Sequence, residues 1–249
     1  MTGKDRHFNR QERLYTFPYH YLPTLDESGT VAIHKFLSWG LDYLTYILFA
    51  VDLITQNLEP ESILDIGCGD GRLLNMLKDE VPRRVGVDLS ERAILFARAF
   101  NPDVAFVVGD LSAVPGQFHA VALIEVMEHI PDEEYPEFIN QVARKTMPDG
   151  KLIISVPTTN ISLNRKHYRH YDLSLLRKRL SPAFSIESYW FLSRRGRLFR
   201  LWNWLLQNQI GIILPVVWRR AVWKLHRRYT YFAEQNNGAH LCAEAGPSI

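Results

Sequence analysis

The stretch L-D-I-G-C-G-D-G, residues 64–71, decides the fold. It begins inside a short apolar run, S-I-L-D-I at 62–66, and ends where the helical pattern D-G-R-L-L-N-M-L-K has begun. A run of this length is typical of a buried strand, and alternating glycines let a backbone turn tightly and pass close to a bound molecule. We therefore predict a strand, a glycine-rich turn and a helix over 70–78, the unit that places a ligand at the carboxyl edge of a doubly wound sheet.

The same alternation of short apolar runs and helical patterns continues along the chain. Strands separated by helices require crossover connections, which are right-handed and give a mostly parallel sheet covered on both faces. We predict an α/β, Rossmann-like, doubly wound, mostly parallel sheet of seven strands. The strands are predicted at 62–66, 84–88, 104–108, 118–124, 151–157, 184–191 and 239–245, and the helices at 31–56, 70–78, 91–100, 133–146 (ending at the turn P-D-G, 148–150) and 172–180.

The pattern also divides the chain into four predicted parts. An irregular, aromatic lead-in and a helix occupy 1–57, and the core occupies 58–192. A basic, amphipathic helical insertion follows at 193–237, before a last core strand and tail at 238–249.

Composition indicates an ordinary globular protein rather than a disordered or disulfide-rich one. The 249 residues are 47% hydrophobic and 22% charged, and a chain of this length can bury a sizeable core. The two cysteines, Cys68 and Cys242, give neither a disulfide framework nor a zinc-binding spacing. The first ten residues are charged and lead into no apolar run of the kind that a secretory signal contains. We therefore expect a cytoplasmic location.

Basic residues are concentrated in one part of the sequence. The net charge is only +2, yet from Arg165 to Arg228 there are 15 Lys and Arg residues against two acidic ones. The rest of the chain therefore carries 14 basic and 25 acidic residues. Such a block forms a solvated basic face, or a surface for anionic lipid or nucleic acid.

Two amphipathic helices are predicted within the insertion, the second starting near Pro215. Polar residues interrupt the apolar section, so a membrane-spanning helix is not expected. Three alternatives follow: residues 194–230 associate with the inner face of a membrane, pack on the domain or in a homodimer, or bind nucleic acid, which is the least favoured. The first helix is predicted to have a polar stripe of Arg200, Asn203 and Gln207. The second is predicted to have an apolar face, opposite to a basic face. The apolar face consists of Trp218, Val222 and Leu225, and the basic face of Arg220, Lys224 and Arg227.

Acidic residues mark the ends of the first three predicted strands. Asp65 precedes the glycines, where a carboxylate would repel a pyrophosphate but would suit a cationic amino group. Asp88 ends the second strand and can accept hydrogen bonds from both hydroxyls of a ribose. Asp110 follows the third strand and could contact an adenine amino group. The structural alternative is that these acids only cap helices and turns.

These motifs together resemble class I S-adenosylmethionine-dependent methyltransferases. The resemblance covers about 60–160 and rests on D-I-G-C-G-D-G, V-D-L-S, G-D-L and M-P-D-G-K-L-I-I-S-V-P in this order. A dehydrogenase is the alternative on the same fold. The resemblance implies S-adenosylmethionine as cofactor, with Asp65 and the glycine backbone at its methionine end, Asp88 at the ribose and Asp110 with Leu111 at the adenine. The implied cofactor-binding residues are Asp65, Gly67, Cys68, Gly69, Asp88, Leu89, Asp110, Leu111 and Glu125.

The stretch I-E-V-M-E-H-I-P-D, 124–132, places carboxylates and an imidazole where the fourth strand ends. Its E-x-x-E-H motif resembles ubiquinone-pathway O-methyltransferases and small-RNA 3′-end 2′-O-methyltransferases. That resemblance implies that Glu125, Glu128 and His129 bind a divalent metal such as Mg²⁺, Mn²⁺ or Zn²⁺, which carboxylate and imidazole ligands suit. A fourth ligand would come from K-H-Y-R-H-Y-D (166–172), with His170 the closest match and His167 a second candidate.

Two other interpretations of these residues stay open. His129 or His170 could act as a general base without a metal. Alternatively Glu125 lines the cofactor and the histidine only fixes a loop. The predicted catalytic residues are Glu125, His129 and His170.

The segment after the fifth strand favours a hydroxyl-bearing acceptor. Residues 155–172 are rich in hydrogen-bonding and basic groups, which suit a polyhydroxylated or phosphorylated molecule; the alternative is an ordinary surface loop. F-P-Y-H-Y and H-Y-R-H-Y loosely resemble bacterial methyltransferases of surface-polysaccharide and glycolipid pathways. We therefore predict an O-methyltransferase whose acceptor is a glycan, a glycolipid, or a polyprenyl-linked or quinone-type molecule. The alternatives are RNA ribose 2′-O-methylation and a non-catalytic cofactor-binding subunit.

Overall fold

The computed structural model describes residues 34–58, 60–201 and 216–248. The predicted lead-in lies outside the described residues, and so does the part of the predicted insertion at 202–215, with Asn203, Gln207 and Pro215. The side chains of Trp218, Arg220 and Val222 also lie outside the description. The predicted domain boundaries stay a prediction.

A mixed sheet lies at the centre of the described structure. Its strands are β1 (Ser62–Ile66), β2 (Arg83–Asp88), β3 (Ala105–Val108), β4 (Phe118–Ile124), β5 (Thr146–Pro157), β6 (Phe184–Arg194), β7 (Phe232–Ala233) and β8 (Gly238–Pro247). They are arranged in the order β3-β2-β1-β4-β5-β8-β6-β7, with parallel pairing from β3 to β5. The predicted doubly wound α/β fold is confirmed. The eighth strand is β7, a two-residue strand that pairs only with the end of β6.

Helices cover both faces of this sheet. They are α1 (His34–Leu53, continued by a π-helical turn, Ile54–Leu58), α2 (Arg72–Met76), α3 (Glu91–Phe100), α4 (Tyr135–Lys145), α5 (Leu173–Leu180) and α6 (Val216–Tyr229). Helices α1, α2 and α3 share one buried apolar cluster with the sheet, whereas α4 and α5 share the other. The apolar strands are thus buried on both faces, as a parallel sheet requires.

Two predicted boundaries were wrong for local reasons. Helix α2 begins at Arg72 instead of 70, because Gly69 and Gly71 adopt left-handed conformations with φ of 54° and 75°. The helix predicted over 133–146 ends at Lys145, and β5 begins at once instead of at 151. The expected turn at 148–150 lies inside an irregular stretch of β5, where the register with β4 shifts.

Strand β8 runs antiparallel to both of its neighbours, β5 and β6. Its first residues therefore lie at the same edge of the sheet as the carboxyl ends of β1, β4 and β5. His240 pairs with Pro157, the last residue of β5. The end of the chain thus contributes side chains to the edge at which ligands bind in this fold.

The described part of the insertion is attached to α1. Buried His226 of α6 bonds to the hydroxyls of Thr45 on α1 and of Thr230, each at 2.8 Å. Burial lowers the pKa of His226 to about 4, so this attachment holds a neutral imidazole at physiological pH. Within the described ranges, no helix has both the length and the apolar run needed to cross a bilayer.

Candidate functional site

The glycine-rich turn after β1 is held against β2 by its backbone. The N–H groups of Gly67 and Cys68 both donate to the carbonyl of Val87, at 2.8 and 3.1 Å. Gly67 has a φ of 70°, and a Cβ there would lie 2.7 Å from the side chain of Val126. Only glycine satisfies both the conformation and the space. The turn therefore keeps a fixed path between the ends of β1 and β4.

Asp88 fixes the outer part of the same turn. One carboxylate oxygen accepts from the N–H of Gly69 at 2.9 Å, and the other accepts from the N–H of Ser90 at 2.8 Å. Ser90 in turn caps α3 by accepting from the N–H of Ala93. Leu89 lies beside this carboxylate with its side chain exposed. An oriented acid with an exposed apolar neighbour can receive a ribose and the base attached to it.

Asp65 is a buried acid inside a group of acids. Burial raises the pKa of its carboxyl well above the ordinary value, and the charges of Asp88 and Asp70 raise it further. Burial likewise raises the pKa of Asp70. Three carboxyl groups next to one turn favour a positively charged ligand, because a cation relieves their mutual repulsion. The ammonium contact of Asp65 stays a prediction.

We expect Asp65→Asn to stabilise the protein and weaken cofactor binding. A carboxyl group whose pKa is higher in the folded than in the unfolded protein stabilises the fold fully at pH values below its unfolded pKa. This stabilisation is lost as pH rises through its folded pKa. The variant should therefore gain about 1 kcal/mol in free energy of unfolding at neutral pH, and the gain should vanish near pH 4. Loss of the buried charge should weaken S-adenosylmethionine binding by about 30-fold. Urea unfolding across pH and calorimetry check both; a variant less stable at neutral pH would contradict the argument.

The other predicted cofactor residues differ in how much surface they offer. Asp110 is exposed and caps the short 3₁₀-helix Leu111–Ala113, and its hydrogen bonds from Ser112 lower its pKa. Leu111 is buried in the core, so its side chain offers little surface to a ligand. Cys68 is also buried, and burial raises its thiol pKa, so the side chain is a neutral part of the turn.

Glu125 has an unusual backbone and a fixed side chain. Its φ is 56°, a left-handed conformation that a non-glycine residue rarely adopts and that is enriched at functional sites. One carboxylate oxygen accepts from the Ser155 hydroxyl at 2.6 Å and lies 3.1 Å from Nδ1 of His240. Burial alone would lower the pKa of His240, but the Glu125 charge outweighs it and the pKa rises. The predicted metal ligand Glu125 thus forms a half-buried ion pair across the sheet.

Glu128 is an isolated buried carboxyl group. Only 1% of the residue is exposed, and neither carboxyl oxygen has a hydrogen-bond partner among the described residues. Its Oε1 lies 3.8 Å from Nε2 of His129. Burial, followed by the charge of Glu125, raises the pKa of Glu128 well above its usual range. A buried carboxylate without a donor is costly, so the position calls for a proton or a cation.

The histidines around Glu128 are oriented by carbonyl groups. Nδ1 of His129 lies 3.2 Å from the carbonyl of Lys166, and Nδ1 of His170 lies 3.1 Å from that of Ile161. Because a carbonyl only accepts, both Nδ1 atoms carry a hydrogen, and in a neutral ring Nε2 then keeps the lone pair. Nε2 of His170 can then accept from Nδ1 of His167 at 2.9 Å, which leaves the lone pair of His167 on its own Nε2.

Glu128, His129 and His167 form a group of side chains that could hold a metal ion. One ligand atom from each lies within 4.8 Å of the others. Burial, with the charges of His129 and His170, lowers the pKa of His167 to about 3, so this imidazole is neutral and able to ligate. The predicted ligands Glu125 and His170 are not in this group. His170 instead supports His167 from behind, as partners of metal-binding histidines commonly do.

Backbone contacts hold the two segments of this cluster together. The N–H of Tyr168 donates to the carbonyl of Glu128 at 2.8 Å, and the guanidinium of Arg169 donates to the carbonyl of Ile130 at 2.7 Å. The hydroxyl of Tyr171 donates to the carbonyl of Met127 at 3.0 Å. The segment after β5 is thus folded onto the 3₁₀-turn Met127–His129, which brings His167 near the Glu128 carboxyl group.

Sequence reasoning missed two residues of the site, Ser155 and His240. Ser155 is fully buried in β5, and His240 is buried near the start of β8. A signal for His240 was present, since it is the single histidine in the apolar run A-H-L-C-A at 239–243. Its partner, however, is 115 residues away in the chain.

Comparison with known proteins identifies the family of the chain. A family model described as a methyltransferase domain matches residues 42–211. The chain is 28% identical over 160 residues to a ubiquinone biosynthesis O-methyltransferase of Hydrogenovibrio crunogenus, covering 60% of this chain and 59% of that protein. It is 30% identical over 142 residues to a probable tocopherol O-methyltransferase of Oryza sativa, covering 53% and 38%. The chain spans about half the length of the curated relatives it matches.

Solved structures show the same architecture. The N-methyltransferase NodS of Bradyrhizobium japonicum, solved with S-adenosyl-L-homocysteine, superposes with a TM-score of 0.61 at 12% identity, covering 97% of this chain and 98% of NodS. At this low sequence identity, the structural similarity supports the fold alone. The family model, however, covers more than half of the chain. The chain therefore belongs to the methyltransferase domain family, and its resemblance to class I S-adenosylmethionine-dependent methyltransferases is confirmed.

Proposed function

We propose that this chain transfers the methyl group of S-adenosylmethionine to a hydroxyl of a lipid-linked or sugar-like acceptor, assisted by a divalent metal. The observation that carries the proposal is the unpartnered Glu128 carboxyl facing two histidines, next to the end of β4. Two relatives named as ubiquinone and tocopherol O-methyltransferases support a hydroxyl on a lipid-tailed molecule. A surface polysaccharide or glycolipid acceptor fits the same hydroxyl chemistry.

The cofactor is proposed to lie across the glycine-rich turn. The acid group around Asp65 would face its positively charged methionine end, and Asp88 would accept hydrogen bonds from its ribose hydroxyls. Exposed Leu89 offers an apolar surface for the adenine. The methyl group would then point toward the end of β4, where Glu125 and Glu128 lie.

The residues present fit a divalent metal ion. A carboxyl group and two imidazoles are a suitable ligand set, and the second partner of each imidazole already fixes the orientation of its ring. Glu128, His129 and His167 would hold the ion. When bound, such an ion lowers the pKa of an acceptor hydroxyl and orients it. His170 and the carbonyl of Lys166 keep the two Nε2 atoms directed into the site.

The transfer itself needs one displacement. The acceptor oxygen forms a bond to the methyl carbon, the carbon–sulfur bond breaks, and the hydroxyl proton leaves. Most of the rate enhancement comes from holding the two reactants in line. Without an ion, the geometry favours His129 as the proton acceptor, because its Nε2 has the lone pair and Glu128 can stabilise the resulting imidazolium. His170 is less suited, because its Nε2 already accepts from His167.

A polar cavity supports a hydroxyl-rich acceptor. It has a volume of about 540 Å³, which is in the range of ligand sites, and it lies at the carboxyl edge of the sheet. Thr158 and Tyr171 line it, and the segment between these two residues carries His167 and His170. Amides, hydroxyls and carboxylates can exchange hydrogen bonds with several sugar hydroxyls at once. The polar lining consists of Thr159, Asn160, Asp172, Glu234, Gln235 and Asn236.

Removal of divalent metal should lower methyl transfer by about 100-fold, and addition of Mg²⁺, Mn²⁺ or Zn²⁺ should restore it. Cofactor affinity should change little, because the acids around the glycine-rich turn lie outside the Glu128 cluster. Activity assays after dialysis against chelator, with calorimetry on the same samples, check both. Full activity in excess chelator would exclude the metal and leave His129 as the base.

The acceptor class can be identified directly. Cell extract is incubated with purified protein and S-adenosylmethionine labelled in the methyl group, then separated into lipid, glycan and RNA fractions. The proposal expects label in lipid or glycan. Label in RNA would support ribose 2′-O-methylation instead, and no label in any fraction would support a non-catalytic cofactor-binding subunit. The Glu128→Gln variant controls for label that arises from other enzymes.

A further inference from the structure

We propose that the outer face of the insertion binds the surface of an anionic lipid bilayer. The outer face is defined by apolar and cationic residues on the two described helical segments, 197–201 and α6. Its members are Leu198, Leu201, Lys224, Leu225, Arg228 and Tyr229.

Each helical segment is attached to the domain through its opposite side. On α6, buried His226 bonds to Thr45 of α1, and Trp223 packs against the apolar cluster beneath it. On the segment 197–201, Phe199 is buried under the guanidinium of Arg195, which lies 4.0 Å from its ring. Arg195 also forms an ion pair with Asp42 of α1 at 2.7 Å. Both segments are therefore fixed to α1, and their other sides face outward.

The outward sides carry apolar residues where a surface helix usually carries polar ones. Leu198, Leu201, Leu225 and Tyr229 are between 36% and 49% exposed. Leu225 and Tyr229 are one turn apart on α6, and so are the neighbouring exposed residues Lys224 and Arg228. Long cationic side chains beside apolar ones suit the boundary between lipid headgroups and acyl chains, since the stems enter the apolar layer while the charges stay at the headgroups.

The charge of this region complements an anionic membrane. Two arginines shortly before the segment 197–201 have acidic partners: Arg194 pairs with Glu234, and Arg195 pairs with Asp42. Their charges are therefore neutralised. For Lys224 and Arg228, no ion pair is found in the described part of the chain. Within the insertion, residues 194–228 contain nine basic residues and no acidic ones. A fixed basic surface with exposed leucines is what anionic lipid attracts.

The attachment to α1 connects this face to the site. Thr45, which bonds to His226, is followed by Tyr46, whose ring centroid lies 4.9 Å from that of His240. His240 is the partner of Glu125 at the end of β4. A membrane-bound insertion would thus hold the site near the bilayer, where a lipid-linked acceptor resides. This last step rests on the proposed function, whereas membrane binding itself does not.

Vesicle flotation of the full chain tests the proposal. Vesicles of phosphatidylcholine with about one third phosphatidylglycerol should carry the protein upward, whereas pure phosphatidylcholine vesicles should not. Substituting Lys224→Ser with Arg228→Ser should lower partitioning by roughly 30-fold at low salt. Substituting Leu198, Leu201 and Leu225 by Ser should abolish the part of the binding that persists at high salt.

Helix α3 offers a matched control. Leu95 and Phe100 are 59% and 61% exposed, so Leu95→Ser with Phe100→Ser removes comparable apolar surface elsewhere and should leave flotation unchanged. Unaltered calorimetric binding of S-adenosylmethionine verifies that every variant is folded, and it separates this test from the proposed methyl transfer. Absence of flotation on anionic vesicles would overturn the proposal. An equal loss of flotation in the control variant would also overturn it. So would the finding that the protein is a dimer that Leu225→Ser dissociates, or that it shifts RNA in a gel but does not bind vesicles.

Discussion

Glu128→Gln is expected to lower the rate of methyl transfer by about 100-fold or more while changing affinity for S-adenosylmethionine by less than about twofold. Gln keeps the volume of the side chain and removes its charge. The group that orients the acceptor, or that stabilises protonated His129, is then lost. The glycine-rich turn and Asp88, which would hold the cofactor, are unaffected. Single-turnover transfer at saturating cofactor, together with calorimetry, separates the two effects.

The same substitution should stabilise the protein. The pKa of Glu128 is raised by burial and by the charge of Glu125. This carboxyl group therefore stabilises the fold fully only below its unfolded pKa, and the stabilisation is lost as pH rises through its folded pKa. Gln should therefore gain about 1 kcal/mol in free energy of unfolding at neutral pH. Mn²⁺ should raise the melting temperature of the wild type and not that of the variant. Glu133→Gln, at an exposed position nearby, is the control; unchanged transfer in Glu128→Gln would show that Glu128 is only structural.

Asp88→Ala is expected to weaken S-adenosylmethionine binding by about 100-fold and to leave the rate at saturating cofactor within a few-fold. The substitution removes the two bonds that fix the N–H groups of Gly69 and Ser90, and with them the proposed acceptor for the ribose. Residues at the end of β4 are untouched, so the bound cofactor should still react. Calorimetry measures the affinity, and transfer assays over a range of cofactor concentrations give KM and kcat separately.

Asp103→Ala is the control for that measurement. Asp103 also belongs to an ion pair, with Arg84, but it precedes β3 and therefore lies at the opposite edge of the sheet. Its removal should cost some stability and leave cofactor affinity unchanged. Equal affinity of wild type and Asp88→Ala would refute the ribose assignment.

The fold was predictable because local pattern and global arrangement agree. The runs at 62–66 and 118–124 are apolar throughout or nearly so, and both became strands with the predicted bounds. The acids that end β1 and β2 then meet at one edge, since parallel strands share their carboxyl ends. The irregular start of β5 was not predictable in this way, because its shifted register depends on contacts with β4.

The site was only partly predictable, because part of it depends on pairing across the sheet. Sequence reasoning identified Glu125, Glu128 and His129, since all three follow one strand. The choice between His167 and His170 depends on hydrogen bonds to the carbonyl of Ile161 and between the two rings. The pair formed by Glu125 and His240 depends on the antiparallel placement of β8. No local pattern carries that information.

Strand β8 also has a consequence for biosynthesis. A polypeptide leaves the ribosome from its amino terminus, and β1 to β5 with the glycine-rich turn can pair before β8 has emerged. His240 and the edge beside β5 are supplied only by β8, which follows all the other described strands in the chain. A nascent chain arrested before β8 should bind nucleoside weakly and turn over no acceptor, so catalytic competence arises only once β8 has emerged.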